Sequence, residues 1–152
     1  MENDKTVDVL NSLITINNDR IEGYETASEA TEEQDLKTLF ARFISTSQKC
    51  KQELVGEVRK LGGEVAEGTK TSGKFFRAWM DVKAALTGRD RKAILNSCKY
   101  GEDQAQETYE DALENDLDHL NASHRTMISG QKSLLNADHN HVKDLRDALV
   151  DA

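Results

Sequence analysis

The sequence predicts an all-α protein: one bundle of four long helices, with a long connection between the second and the third. Three observations carry this. The 152 residues include no proline, the residue that breaks helix interiors by removing an N–H and crowding the preceding turn. Charged residues make up 32% and aromatics only 5%, which suits helices with broad solvated outer faces. Apolar residues recur at three- and four-residue spacing through four long stretches, the period of one helix face. The length fits a single domain, residues 1–152, with one sizeable core.

The first helix is expected from about Thr6 to Ala30, with Val7, Leu10, Leu13, Ile14, Ile21, Tyr24 and Ala27 inward. Thr31 should cap the second helix, with Gln34 completing a capping box. Leu36, Leu39, Phe40, Phe43, Ile44, Leu54, Val55, Val58 and Leu61 carry that helix to Gly62-Gly63, a pair suited to a left-handed C-cap. "GGEVAEGTKTSG" is the longest loop. Ser72 would cap a short crossover helix, "GKFFRAWMDVKAALTG", whose Phe75, Phe76, Trp79, Val82 and Leu86 would lie against the bundle. Asp90 would cap a third long helix, from about Arg91 to Asn115. The last helix is expected from about Leu117 to Leu149, with Leu120, Met127, Ile128, Leu134, Leu135, Val142, Leu145 and Leu149 inward. Four helices with one long crossover is the connectivity of ferritin-like folds.

Bulk properties narrow the function. A net charge of −8 counts against nucleic-acid binding, which needs a basic face to displace counterions. The same charge counts against a nucleoid-protecting role. No apolar run approaches the roughly 20 residues of a membrane span. The start, "MENDKTVDVL", is acidic and unlike a signal peptide, so a cytoplasmic location is expected. Cys50 and Cys98 form no CxxC pair and fall within helices, as buried free thiols do. There is no glycine-rich phosphate loop and no Cys–His pairing in sequence to suggest nucleophilic catalysis.

A short repeat marks the interior. "YETASE" at Tyr24 and "YEDALE" at Tyr109 share the pattern YExAxE. Seven residues before each tyrosine stands a polar residue on an apolar stripe, Asn17 and Glu102. The stripes of the second and fourth helices pass through Ser47 and Gln131. Asn17, Ser47, Glu102 and Gln131 are therefore expected to form one polar layer across mid-bundle. Burying such groups unpaired costs roughly 1–3 kcal/mol each, so a hydrogen-bonded layer is one explanation. A metal site is the other. Di-iron bundles use a Glu from each of two helices and a Glu-x-x-His from each of the others. This chain has no Glu-x-x-His; the nearest patterns are Asp116-x-x-His119 and Asp138-x-x-His141. Glu25 is the expected carboxylate neighbour of Glu102. His139 and His141, two apart, point to different helix faces and do not share a metal readily. A phospho-accepting His in a signalling bundle, at His124 or His139, is a further reading.

The chain resembles the bacterial ferritin-like four-helix-bundle proteins of unknown function, close to the YciF-like stress-associated group. The resemblance rests on "DRIEGYETA", "ELVGEVRKLGGE", "TSGKFFRAWMDVKAAL", "AILNSCKYGEDQAQETYEDAL" and "GQKSLLNADHNHVKDLRDA", taken in order. It implies a ferritin-like bundle, often dimeric, linked to stress responses, without an established reaction. Positions matching that group's mid-bundle polar residues are Asp19, Glu25, Glu102, Gln131 and His139. Relatives tend to carry a His where this chain has Phe76 and a more acidic third helix where it has Lys99, and both departures weaken an inherited metal site. The expectation is a non-catalytic, stress-associated homodimer with a degenerate metal site, to which Glu25, Glu102 and His139 would contribute. The alternative is an iron- or manganese-dependent carboxylate oxidase or peroxide scavenger.

Overall fold

The computed structural model describes residues 2–68 and 91–150. Four helices pack as a bundle: α1 (Glu2–Ala30), α2 (Gln34–Lys60), α3 (Arg91–Asn115) and α4 (Ala122–Val150). The expected crossover helix, with its Ser72 and Asp90 caps and its Phe75–Trp79 cluster, lies outside the described residues.

Side-chain pairing gives the topology. Asn17 meets Tyr109 while Arg20 and Tyr24 meet Glu102, so α1 and α3 run antiparallel. Glu57 meets His124 while Gln131 reaches the Cys50 carbonyl, so α2 and α4 also run antiparallel. The hairpins α1–α2 and α3–α4 then leave α2 and α3 parallel. A parallel pair needs a connection as long as the bundle, about 40 Å for a helix of this length at about 1.5 Å per residue. Its two ends are fixed. Glu64 and Ala66 bond Asn11, and Gly68 accepts from Asn18, so residues 64–68 run back along α1. At the far end Arg91 forks onto Asp35 and Glu33 beside the α1–α2 turn.

The helix ends correct three expectations. Thr31 does not build a capping box. Its hydroxyl accepts from Glu33 N–H in a tight side-chain turn, and α2 begins only at Gln34, with no side-chain cap bond from Glu33. The last helix starts five residues later than expected. Leu117–His119 form a single 3-10 turn, and Asn121 caps α4 by accepting from the His124 N–H. Helix α1 starts at Glu2, ahead of Thr6. Its Thr6 hydroxyl bonds the His119 carbonyl, which ties the helix start to the α3–α4 turn.

α2 stops in a Schellman motif. Gly63 N–H bonds the Val58 carbonyl and Gly62 N–H the Arg59 carbonyl. Gly62 takes φ 74°, the left-handed region that glycine enters without a Cβ penalty. Gly63 is needed for space instead. A Cβ there would stand 2.7 and 2.8 Å from the two Val7 methyl carbons. Val7 is branched at Cβ and has few rotamers to escape into. Gly63→Ala should therefore cost about 1–3 kcal/mol. Urea unfolding checks this, and pairing it with Val7→Ala should recover much of the loss. No recovery would place the strain elsewhere.

The core falls into two apolar halves. One gathers Leu10, Leu13, Ile14, Leu54, Val58, Tyr109, Ile128 and Leu135. The other gathers Tyr24, Leu36, Phe40, Phe43, Leu95, Cys98 and Val142. Two residues expected inward are not there: Leu134 is 40% exposed and Leu149 36%. The α4 stripe follows Ile128, Gln131, Leu135 and Val142, which puts Leu134 a further 100° round the helix. Among the described residues, no helix is long and apolar enough to cross a membrane.

Candidate functional site

Between the two apolar halves lies a layer of buried polar side chains. Asn17, Arg20, Ser47, Glu102 and Gln131 are each 2% exposed or less, and Asp19 is also buried. The layer divides into two networks.

The first centres on Arg20, which lies three residues after Asn17 and four before Tyr24 on the inner face of α1. Its Nη2 donates to Glu102 Oε1 at 2.8 Å and to Asp138 Oδ2 at 3.2 Å, and its Nε donates to the same Glu102 oxygen at 3.2 Å. Its Nη1 donates to Ser47 Oγ. The Tyr24 hydroxyl donates to Glu102 Oε1 at 2.5 Å, and the Tyr24 ring lies beneath the guanidinium carbon at 5.6 Å. One residue from each helix thus reaches this cation or its anion. Burial alone would weaken the hold of Arg20 on its proton, but Glu102, Tyr24 and Asp138 more than restore it. Burial and the facing Glu102 drive the Tyr24 hydroxyl well above its ordinary range, so it stays a donor. Asp138, partly open to solvent, is raised by burial and by Glu102 against the pull of Arg20.

The second network is built on amides and a hydroxyl and holds no cation. Asn17 Nδ2 donates to Tyr109 Oη at 2.9 Å, and that hydroxyl donates to Gln131 Oε1 at 2.7 Å. Gln131 Nε2 donates to the Cys50 carbonyl and to Glu53. The two networks mirror one another. Tyr24 of α1 bonds Glu102 of α3, and Tyr109 of α3 bonds Asn17 of α1. Each repeat's tyrosine crosses to the other repeat's polar position, as a pseudo-twofold between antiparallel neighbours requires. The mirror breaks at Arg20, whose counterpart is the buried Ala105.

The three residues expected to share a metal are apart. Glu25 is exposed on the outer face of α1, one residue past Tyr24, and lines the groove toward Lys51 and Gln52. Glu102 is held by Arg20 and Tyr24. His139 turns sideways along α4, with Nε2 2.5 Å from Asp103 Oδ1, while Lys99 holds the other Asp103 oxygen. Burial pushes the Asp103 carboxyl up, and the bonds from Lys99 and His139 outweigh it and hold it below the usual range. His124 is buried with Nε2 toward Glu57. Among the described residues, no group of three or more His, Cys, Asp or Glu side chains is placed to hold a metal ion. A di-metal carboxylate centre needs four inward carboxylates with two histidines. The carboxylates that meet at the centre of the layer are Glu102 and Asp138, both already turned onto a guanidinium, so the residues do not fit that group.

Sequence reasoning missed Arg20, and it raised Asp138 only within Asp138-x-x-His141 and not as a partner of Glu102. The signal for Arg20 was present, because a residue at +3 from Asn17 and −4 from Tyr24 must share their face. Asp138 carried no comparable sign, since it sits at the edge of the α4 stripe.

The cysteines are buried and chemically quiet. Burial pushes the Cys50 thiol up to about 11 and the Cys98 thiol, facing Glu102, higher still. The thiolate is the reactive form. Native protein at pH 7.5 should therefore react with a disulfide reagent only at its unfolding rate, and stoichiometric labelling within seconds would contradict this burial.

The clefts that the described residues line are elsewhere. One, about 1090 Å³, is an open groove between α1 and α2 walled by Glu22, Glu25, Lys51, Val55 and Arg59, with Gly68 at one end. None of the residues of the two networks lines it.

These features define an all-helical four-helix bundle with a closed polar layer across its middle. A family model for a domain of unknown function (DUF2383) matches residues 5–115, most of the chain and the whole of α3 with nearly all of α1. The chain belongs to that family. No curated protein matches it.

Proposed function

We propose that the chain is a non-catalytic bundle of ferritin-like type with a degenerate metal site, associated with the bacterial stress response and acting in the cytoplasm as a homodimer through its surface. One observation carries the reading: Glu102 and Asp138, the carboxylates that meet at the centre of the layer, are both engaged by the side chain of Arg20. The long connection between parallel α2 and α3 supports the ferritin-like kinship. The net charge of −8 supports action on partners other than nucleic acid. The stress association rests on the sequence resemblance. The competing reading, an iron- or manganese-dependent oxidase or peroxide scavenger, needs carboxylate lone pairs that Arg20 occupies.

Elemental analysis tests this. Untagged protein from cells grown with added iron and manganese should carry well under one metal per chain, and should not speed peroxide loss. About one or more metals per chain, lost in Glu102→Gln, would overturn the reading and restore the oxidase. Sedimentation should give a dimer, and a monomer at all concentrations would remove the homodimer.

A further inference from the structure

We infer that the mid-bundle network is a cation site whose occupant is the Arg20 guanidinium, and that vacating it creates a site for one divalent metal ion. This rests on the degenerate-site reading and goes beyond it. Glu102 of α3 and Asp138 of α4 converge on a single atom, Arg20 Nη2, at 2.8 and 3.2 Å. Ser47 of α2 approaches the neighbouring Nη1, and Tyr24 steadies the Glu102 oxygen from behind. Carboxylate and hydroxyl oxygens from three helices, gathered about one guanidinium, are the donor types that hard divalent cations take. The nitrogen-to-oxygen contacts of 2.8 and 3.2 Å exceed a metal–oxygen bond of about 2.0–2.6 Å by roughly 0.2–1.2 Å, so Glu102 needs a small inward shift and Asp138 a somewhat larger one.

A second observation points the same way. Glu102 Oε2 is buried and has no hydrogen-bond partner. The carboxylate already spends one oxygen on three donors and holds the other free, a geometry with capacity for bidentate binding. Two carboxylates face one guanidinium, so removing the guanidinium leaves charge that must be protonated or matched by another cation. Two carboxylates reach the guanidinium, with one hydroxyl beside them, and that donor set suits one ion. With Arg20 in place it is closed: the guanidinium is fully buried and tethered to α1.

The test uses Mn²⁺ as the probe, with the wild type, Arg20→Ala and Arg20→Ala/Glu102→Gln, each stripped with chelator. Mn²⁺ is titrated by electron paramagnetic resonance, and melting is followed by circular dichroism. Arg20→Ala should bind one Mn²⁺ per chain and melt higher with it. Should that variant be unfolded when stripped, Mn²⁺ should restore its helical signal. The double variant should bind about 10–100-fold more weakly or worse. An Arg20→Ala protein that neither binds Mn²⁺ nor gains stability or helix from it overturns the inference, and a metal-free wild type would leave the proposed function standing. Glu102-dependent Mn²⁺ binding by the wild type overturns both.

Discussion

Glu102→Ala should lower the unfolding free energy by about 3–5 kcal/mol. The figure follows from what stays behind. Arg20 has no exposed surface, and its Nε and Nη2 both depend on Glu102 Oε1. Without that oxygen the guanidinium keeps Ser47 and the more exposed Asp138, too little to balance a buried charge. The cost is that of an uncompensated ion and not the net worth of the pair. The pair itself is dispensable for stability. Arg20→Met with Glu102→Leu should be more stable than either single change, because it removes both desolvation penalties and keeps the volume. Urea unfolding of all four proteins forms the cycle. A loss of only ~1 kcal/mol in Glu102→Ala, the scale of a surface pair, would mean that water reaches Arg20 and that the layer is not closed.

Phe43→Ala should cost a similar amount, about 3–5 kcal/mol, by a different route. Phe43 stands on α2 with its ring 5.1 Å from Tyr24 of α1 and 6.3 Å, edge to face, from His141 of α4. It therefore joins three helices in the core half that also holds Tyr24 in place under Arg20. Deleting the ring loses its transfer energy and leaves a cavity between rigid neighbours. Leu134→Ala is the contrast. Its side chain is 40% exposed, and the change should stay within about 0.5 kcal/mol. Equal losses at the two positions would mean that α4 is rotated from the orientation described above.

The contrast between Phe43 and Leu134 shows where periodicity suffices. On α2 a buried residue recurs every three or four positions from Leu36 to Val58, and the stripe is continuous enough to place each one. On α4 two leucines stand side by side. Only Leu135 shares a face with Ile128 and Val142, yet pattern alone admits both. The helix ends were less legible than the helices. Thr31 and Gln34 have the spacing of a capping box, but the chain spends Thr31 on a turn that bends α1 into α2. The late start of α4 depends on Asn121, whose side chain competes for the helix start with nothing in the sequence to rank it above Asp116 or Asp118.

The sequence by itself determined the four helices, most of the faces they bury and the inward polar positions Asn17, Ser47, Glu102 and Gln131, because each follows from spacing along one helix. The YExAxE repeat also determined that Asn17 and Glu102 stand at equivalent positions. The tertiary structure decided which of these residues meet. Glu25 and Glu102 look like partners on a helical wheel, yet one residue of rotation, about 100°, sends Glu25 to solvent and brings Tyr24 and Arg20 to the Glu102 carboxylate. The resemblance implies a mid-bundle place for His139, and Asp103 on the neighbouring helix holds it at the rim instead. Whether an inward carboxylate faces a metal or a guanidinium depends on which residue the opposite helix presents at that height. That is fixed by the packing of whole helices against one another, and no spacing within one helix records it.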